Sequence, residues 1–216
     1  MASARHIFIV GNGDIPVTAA TAIDAADLVV RFNECGSYVR GGTRTDIVAI
    51  CNTGRPAKAI LGSQAWRECA PLHSASAIWS VRDPEKFAAL RAPLMLSHPE
   101  LDDFCDDYTA ELSAFASAIG KRHEVIDRTV HEATDAALAL HASGEYVVPS
   151  SGLIVIMAFL LGEARPADTV SITGFSHTGW DGHPFAAEKR LVDSLCADGR
   201  LNRLGAISTN SVCQGA

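Results

Sequence analysis

The chain has 216 residues, of which 48% are hydrophobic and 20% are charged, enough for one compact domain with a sizeable apolar core. Its net charge of −7 and its lack of any basic run exclude a nucleic-acid-binding surface and a polybasic membrane patch. The composition therefore favours a small molecule as the partner.

Six cysteines are scattered along the chain without a C-x-x-C pair, so the sequence indicates neither a zinc site nor a thioredoxin-like site. The amino terminus leads straight into an apolar run, without a signal-peptide core or a membrane anchor. We therefore expect a cytoplasmic protein without a transmembrane segment. No Asp-x-Asp follows a predicted strand, so we also expect no metal.

The first quarter of the chain alternates apolar, β-branched runs with helical and turn segments. Four elements are predicted there: strands at 6–10, 27–33 and 46–51, and an Ala-rich helix at 18–26. An asparagine follows or ends each strand, at Asn12, Asn33 and Asn52. Because parallel strands end at one edge of a sheet, these amides would meet there and suit a base or a ribose. A simple preference of asparagine for turns explains each single position equally well.

The middle of the chain, residues 55–146, also has an α/β pattern. Its predicted elements are strands at 77–81 and 93–97 and helices at 100–119 and 129–142. We assign no site residue to this segment.

Residues 147–188 form the stretch around which the predicted site is organised. A Pro-Ser-Ser-Gly turn precedes an apolar segment, 153–161, which is too short to span a bilayer and indicates a buried helix. The first N–H groups of such a helix lack intrahelical partners and carry the positive end of its dipole, so Ser150, Ser151 and Gly152 suit a phosphate or a ribose. The alternative is an ordinary serine N-cap, worth about 1 kcal/mol.

A strand predicted at 169–173 leads into Gly174 and a polar loop that contains His177, Trp180 and His183. Ligands of parallel sheets collect beyond the carboxyl ends of the strands, so we expect the chemistry in this loop. Three further elements are predicted after it: a helix that starts at Pro184, a strand at 201–207 and a loose tail at 210–216.

The order of these motifs resembles the sialylmotifs of the eukaryotic-type sialyltransferases, glycosyltransferase family 29. Gly-Asn-Gly-Asp after the first strand, then Val-Arg-Phe-Asn, then Gly-Gly-Thr-Arg-Thr are similar to the large motif. Pro-Ser-Ser-Gly-Leu resembles the small motif, Gly-Phe after a strand the third, and the pair His183 and Glu188 the very small one. The chain looks like a short, soluble, bacterial-type member of this family.

The resemblance implies an α/β fold with a single Rossmann-like domain over residues 1–216, a largely parallel sheet flanked by helices in a GT-A-like variant. Residues 5–54 and 147–207 would form the nucleotide-sugar-binding segments. The implied activity is that of an enzyme, an inverting, metal-independent glycosyltransferase that acts without a cofactor. It would move an acidic sugar, sialic acid or a Kdo-like relative, from a CMP-activated donor such as CMP-sialic acid to a glycan hydroxyl.

By the same resemblance, His183 is the general base, since an imidazole with a pKa of about 6.5 can take a proton at neutral pH. The other implied site residues surround the donor: Asn12 and Asn33 at the nucleotide, Ser150, Ser151, Gly152 and Gly174 at the phosphate or ribose, His177 assisting departure of the phosphate, Trp180 as a wall and Glu188 as a support. For Glu188, a solvated helix glutamate is an equally good interpretation.

Two alternatives to the transferase remain open. One is a binding module that keeps the nucleotide-sugar pocket and has lost transfer. The other is a different enzyme class on a Rossmann-like sheet, although the chain lacks the G-x-G-x-G and G-x-S-x-G patterns of methyltransferases and hydrolases.

Overall fold

The computed structural model describes residues 3–204 and is organised around one sheet. Its strands are β1 (His6–Val10), β2 (Leu28–Phe32), β3 (Ile47–Ile50), β4 (Ala77–Ser80), β5 (Arg122–Val125), β6 (Thr169–Thr173) and β7 (Asn202–Arg203). All seven run parallel, in the spatial order β5-β4-β3-β2-β1-β6-β7. The predicted fold class, an α/β protein with a Rossmann-like parallel sheet, is confirmed.

Helices cover the sheet and connect its strands. They are α1 (Ala19–Asp24), α2 (Gly54–Gly62), α3 (Gln64–Arg67), α4 (Ala70–Ser74), α5 (Pro84–Ser97), α6 (Thr109–Ala118), α7 (Arg128–Ala139), α8 (Ser151–Ala158) and α9 (Phe185–Ala197), with a 3-10 turn at Pro99–Leu101 and a π-helical turn at Phe159–Glu163. Helix α8 is apolar from Leu153 onward and buries residues 153–158, because it lies between the sheet and the neighbouring helices.

The two faces of the sheet carry separate apolar clusters, as the two-residue side-chain period of a strand requires. In β1, Ile7 and Ile9 point to the large core shared with α8 and α9, whereas Phe8 and Val10 point to a smaller core with α1. The strand is buried on both faces, which explains why its sequence is apolar without alternation.

The predicted strand at 93–97 is wrong, because these residues are the last turns of α5. The start of this helix is well capped: Asp83 accepts a hydrogen bond from the Lys86 amide at 2.7 Å, and a proline occupies the first helical position. Within the run read as a strand, Leu96 is 89% exposed, so its apolar character does not reflect a buried strand.

Strand β5 was not predicted, because its sequence Arg-His-Glu-Val is polar. It lies at one edge of the sheet, pairs only with β4 among the described strands, and is partly exposed. The predicted helix at 100–119 begins only at Thr109, after the 3-10 turn. Of the strand predicted at 201–207 the structure describes Asn202–Arg203, while the tail predicted at 210–216 lies outside the described residues.

His131 of α7 is a buried histidine that makes the fold sensitive to acid. Its Nε2 donates to the carbonyl oxygen of Val81 at 3.0 Å. Burial, followed by the charges of Arg82 and Lys86, lowers its pKa from the ordinary 6.5 to about 4. Between pH 4 and pH 6.5 this histidine is protonated in the unfolded chain and neutral in the folded protein. Stability present above pH 6.5 is therefore lost as the pH falls toward 4.

We expect His131→Gln, which keeps a donor for Val81, to flatten this acid response. The difference between 6.5 and 4 corresponds to about 3 kcal/mol at most, at 1.36 kcal/mol for each pKa unit. Urea denaturation of the wild type and of His131→Gln at pH 7 and pH 4.5 measures it. An equal loss of stability in both proteins would show that another group carries the acid sensitivity.

Candidate functional site

The sheet has a topological switch point at β1, whose neighbours are β2 on one side and β6 on the other. The chain builds the sheet outward from β1 through β2 to β5 and then returns to place β6 on the other side of β1, so a crevice opens beyond the carboxyl ends of β1 and β6. We call this crevice, with a volume of about 370 Å³, the switch-point cleft. It is lined, among others, by eight residues that the sequence singled out: Asn12, Asn33, Ser150, Ser151, Gly152, Gly174, His177 and Glu188.

The glycines of the cleft bring two loops into direct backbone contact. The Gly11 amide donates to the Thr173 carbonyl at 2.8 Å, and the Gly13 amide donates to the Gly174 carbonyl at 2.9 Å. A Cβ on Gly11 would lie 2.3 Å from the Gly174 oxygen, and Gly174 itself has a φ of +75°. The close approach that these glycines permit is therefore between the loops after β1 and β6.

Ser150 and Glu188 form a buried pair at the start of α8. The Ser150 amide donates to Glu188 Oε1 and its hydroxyl donates to Oε2, both at 2.6 Å. Ser150 Oγ also accepts from the Leu153 amide at 3.2 Å, so the serine is an N-cap. Glu188 is 1% exposed, and the solvated glutamate considered from the sequence is wrong. Its carboxylate already occupies the donors of Ser150, which leaves Ser151 and Gly152 for a ligand.

Burial raises the pKa of Glu188, against the hydrogen bonds from Ser150 and the charge of Arg82, which lower it. The net effect is a raised pKa, and the carboxyl group is hydrogen-bonded to the serine. Glu188 therefore positions the turn before α8 instead of facing the cleft as a free acid or base.

The three asparagines hold the sheet edge together. Asn12 Nδ2 donates to the Phe32 carbonyl at 3.2 Å, and Asn33 Oδ1 accepts from the Cys51 amide at 3.0 Å. Asn52 is buried and bridges to Arg82, accepting from its amide at 2.7 Å and donating to its carbonyl at 3.0 Å. Asn12 and Asn33 line the switch-point cleft, whereas Asn52 does not.

A second cavity of about 370 Å³ adjoins the cleft and shares Asn33 and Ser151 with it. We call it the Arg82 cavity. Its lining includes Asn33, Cys51, Arg55, Arg82, Asp103, Phe104, Ser151, Trp180 and His183. The structure thus separates His183 and Trp180 from His177, which lies in the switch-point cleft.

His183 is held by the backbone and not by a carboxylate. Its Nδ1 donates to the Val148 carbonyl at 2.8 Å, and its ring packs edge-on against Trp180 and Phe185. Burial first, and then the charge of Arg82, lowers its pKa to about 4. The imidazole is therefore neutral at pH 7 and a weaker base than an ordinary histidine.

His177 sits in the loop after β6 with a φ of 51°, in the left-handed region. Its Nε2 is buried without a hydrogen-bond partner among the described residues, and burial lowers its pKa. His177 therefore lines the switch-point cleft while its Nε2 is buried and unbonded within the described residues.

Arg82 is the site residue that sequence reasoning missed. It follows β4, in the segment to which no site residue was assigned, and it is 2% exposed. A signal was present, since a charged side chain at the carboxyl end of an apolar strand, directly before a capped helix, lies at the ligand-binding edge of a parallel sheet.

Within residues 3–204, no three His, Cys, Asp or Glu side chains are grouped so as to hold a metal ion. In the same part of the chain, no helix combines the length and the apolar character needed to cross a bilayer.

Comparison with known sequences gives one informative relative. No family model matches the chain. A curated protein of Rhizobium meliloti (strain 1021), described as "Urease operon 23 kDa accessory protein", is 52% identical over 216 residues and is matched along 100% of both chains.

Comparison with solved structures gives sialyltransferases. A mammalian sialyltransferase aligns with 94% of this chain and 70% of its own, at a TM-score of 0.57 and 15% identity. The sialyltransferase CstII from Campylobacter jejuni, in complex with cytidine-5'-monophosphate, aligns with 96% of this chain and 81% of its own, at a TM-score of 0.53 and 9% identity. At such identities the likeness shows a shared fold alone.

These findings correct the assignment made from the motifs. The predicted membership of the sialyltransferase family is wrong, because the full-length relative at 52% identity carries a different description. The predicted activity, a glycosyltransferase that uses a CMP-activated sugar, is wrong for the same reason, and so is the prediction that the protein is such an enzyme. What the motif order detected was the fold.

Proposed function

Because the chain belongs to the family of the urease operon 23 kDa accessory protein, we propose that it supports the production of active urease and catalyses no reaction of its own. The observation that carries this proposal is the 52% identity to that relative along the whole of both chains. Such a role implies protein partners in place of a sugar donor and a glycan acceptor.

The geometry of the site supports binding over proton transfer. A general base works best when its pKa lies near the working pH, and His183 has a pKa of about 4. Glu188 is committed to Ser150 through both carboxylate oxygens. We propose that the switch-point cleft is a small-molecule binding site, with Asn12, Asn33 and Ser151 among its contacts.

The proposal also includes the compartment and the domain organisation. Five cysteines among residues 3–204 are free thiols, which suits the reducing cytoplasm. The chain would act as one domain, since residues 5–54 and 147–204 supply β1 and β6, which are paired within the same sheet.

Deleting the gene for this chain in a urease-producing host tests the accessory role. We expect urease activity in lysates to fall several-fold while the urease subunits, followed by immunoblot, remain present. A copy of the wild-type gene should restore the activity.

Asn12→Ala, which changes a residue of the switch-point cleft that does not line the Arg82 cavity, should restore less activity. Arg128→Gln, which changes an exposed side chain on α7, is its matched control and should restore activity as the wild type does. Wild-type urease activity in the deletion strain would overturn the proposed function.

A further inference from the structure

Two buried arginines differ in how their guanidinium groups are satisfied. Arg31 is 0% exposed and its nitrogens donate to five oxygens. The acceptors are the hydroxyls of Ser37 and Thr45 and the carbonyls of Gly41, Gly42 and Arg44, at 2.8 to 3.2 Å. Arg82 is 2% exposed and makes one side-chain hydrogen bond, from Nη1 to the Pro149 carbonyl at 2.8 Å.

The remaining donors of Arg82 lack protein partners. Its Nε is buried without an acceptor, and its guanidinium lies 5.1 Å from the centre of the Phe87 ring. Across residues 3–204, no carboxylate oxygen comes within 4.0 Å of an Arg82 nitrogen. A guanidinium keeps its charge at all ordinary pH values, and an unpaired buried charge is costly. The fold therefore holds a cation without a direct ion-pair partner among the described residues, since the charge of Arg82 acts on the buried Glu188 only from beyond 4.0 Å.

The Arg82 cavity supplies further polar groups next to this cation. Asn33 uses its Oδ1 for the Cys51 amide, which leaves Nδ2 as a donor, and Ser151 makes no side-chain hydrogen bond within the described residues. His183 donates from Nδ1 to the backbone, so its Nε2 is an acceptor that suits a hydroxyl. Among the described residues, Asp103 is the carboxylate that lines the cavity, and it is paired with Arg55 at 2.8 Å.

Aromatic side chains form the apolar wall of the same cavity. Phe104 and Trp180 line it, with their ring centres 5.4 Å apart. A volume of about 370 Å³ lies in the range of small-molecule sites. The cavity thus combines a buried cation, two polar side chains, an acceptor and an apolar wall.

We propose that the Arg82 cavity binds a small organic oxyanion, a phosphate ester or a carboxylate that carries a hydroxyl group nearby. Arg82 contacts the anion, Ser151 and Asn33 contribute hydrogen bonds, and Phe104 and Trp180 pack against the rest of the molecule. The Arg82 cavity shares Asn33 and Ser151 with the switch-point cleft, but its ligand binding is measured on the purified protein without urease, so failure of this proposal is distinguishable from failure of the accessory role.

Isothermal titration calorimetry of the full chain tests the site with four probes: inorganic phosphate, glucose 6-phosphate, malate and uncharged glucose. We expect at least one anion to bind with a stoichiometry of one, and glucose not to bind. Tighter binding of the phosphate compounds than of malate identifies phosphate as the anion, and the reverse identifies a carboxylate. Absence of binding by all three anions, or equal binding of glucose and glucose 6-phosphate, would overturn the proposal.

Arg82→Gln removes the charge and keeps a donor for Pro149. It should weaken anion binding about tenfold or more, as expected for loss of a charged hydrogen-bonding partner. Arg128→Gln is the matched control, since it removes an exposed arginine from α7, and it should bind as the wild type does. Unchanged anion affinity in Arg82→Gln would contradict the assignment.

A melting temperature separates this role from a purely structural one. If Arg82 belongs to an anion-binding site, Arg82→Gln melts at or above the wild-type temperature without ligand and is not stabilised by the anion. If Arg82 serves only the fold, the variant melts well below the wild type and the wild type gains nothing from the anion. Should Arg82→Gln not fold, Ser151→Ala gives the decision, since it leaves Arg82 in place and should weaken anion binding several-fold.

Discussion

Gly11→Ala is expected to lower the free energy of unfolding by about 3 kcal/mol, the upper part of the range for overpacking. The new methyl group would lie 2.3 Å from the Gly174 carbonyl oxygen and 2.8 Å from its carbon. Both are backbone atoms, so no rotamer change relieves the clash. The loops after β1 and β6 must separate, which breaks the hydrogen bond from the Gly11 amide to Thr173. Urea denaturation monitored by circular dichroism measures the loss.

Gly162→Ala is the matched control, because a Cβ there meets nothing within 4 Å and the glycine has an ordinary φ. This variant should be as stable as the wild type or up to about 1 kcal/mol more stable, since alanine restricts the unfolded chain. If Gly11→Ala and Gly162→Ala unfold at the same urea concentration, the two loops do not touch in solution as the structure places them.

The elements that sequence predicted correctly are those whose local signal and tertiary setting agree. Strands β1, β2, β3 and β6 are apolar and β-branched because they lie inside a parallel sheet and are buried on both faces. Strand β5 was not predicted because an edge strand, which is partly exposed, does not need an apolar sequence. The run at 93–97 is apolar and is nevertheless helical, because it forms the last turns of the helix that begins at the Asp83 cap.

The gathering of the site residues was predictable, and their hydrogen-bond partners were not. Topology alone brings the ends of β1, β2 and β6 to one edge, and Asn12, Asn33 and His177 line the cleft there. The bonds from Ser150 to Glu188 join residues far apart in sequence, so only the folded chain shows that this serine is already occupied. The unpaired charge of Arg82 is a property of its surroundings, which no local pattern records.

The same reasoning explains why the motif order indicated a wrong activity. Several motif residues stabilise the fold. Arg31 donates hydrogen bonds to five oxygens of the turn before β3. Gly174 allows the close approach of the loop after β1, and Glu188 accepts a hydrogen bond from the turn before α8. Such residues are required wherever this sheet and these turns are built. Their presence therefore predicts the architecture shared with sialyltransferases and does not require the same reaction.

Glu188→Ala should be strongly destabilising, by about 3 kcal/mol. It leaves the Ser150 amide and hydroxyl without their acceptors in a buried setting, which costs about 1–3 kcal/mol for each orphaned group, and it opens a cavity next to the core. Glu132→Ala is the matched control, since Glu132 is also a helix glutamate but is 54% exposed and pairs only with Arg128. It should unfold close to the wild type in urea. Similar midpoints for the two variants would mean that Glu188 does not hold the turn.

Glu188→Gln separates the shape of this side chain from its charge. Burial raises the pKa of Glu188 above its ordinary 4.5, so the folded state holds the proton more tightly than the unfolded chain does. The stability contributed by protonation is full below pH 4.5 and is lost as the pH rises through the folded pKa. Glutamine stays neutral, and its amide still has an acceptor for the Ser150 N–H and a donor for the hydroxyl. The stability of Glu188→Gln relative to the wild type should therefore be highest at pH 7 and should decline toward pH 4.5, as urea titrations at both values would show. A relative stability that rises on acidification would mean that the Ser150 hydrogen bonds outweigh burial and hold Glu188 ionised.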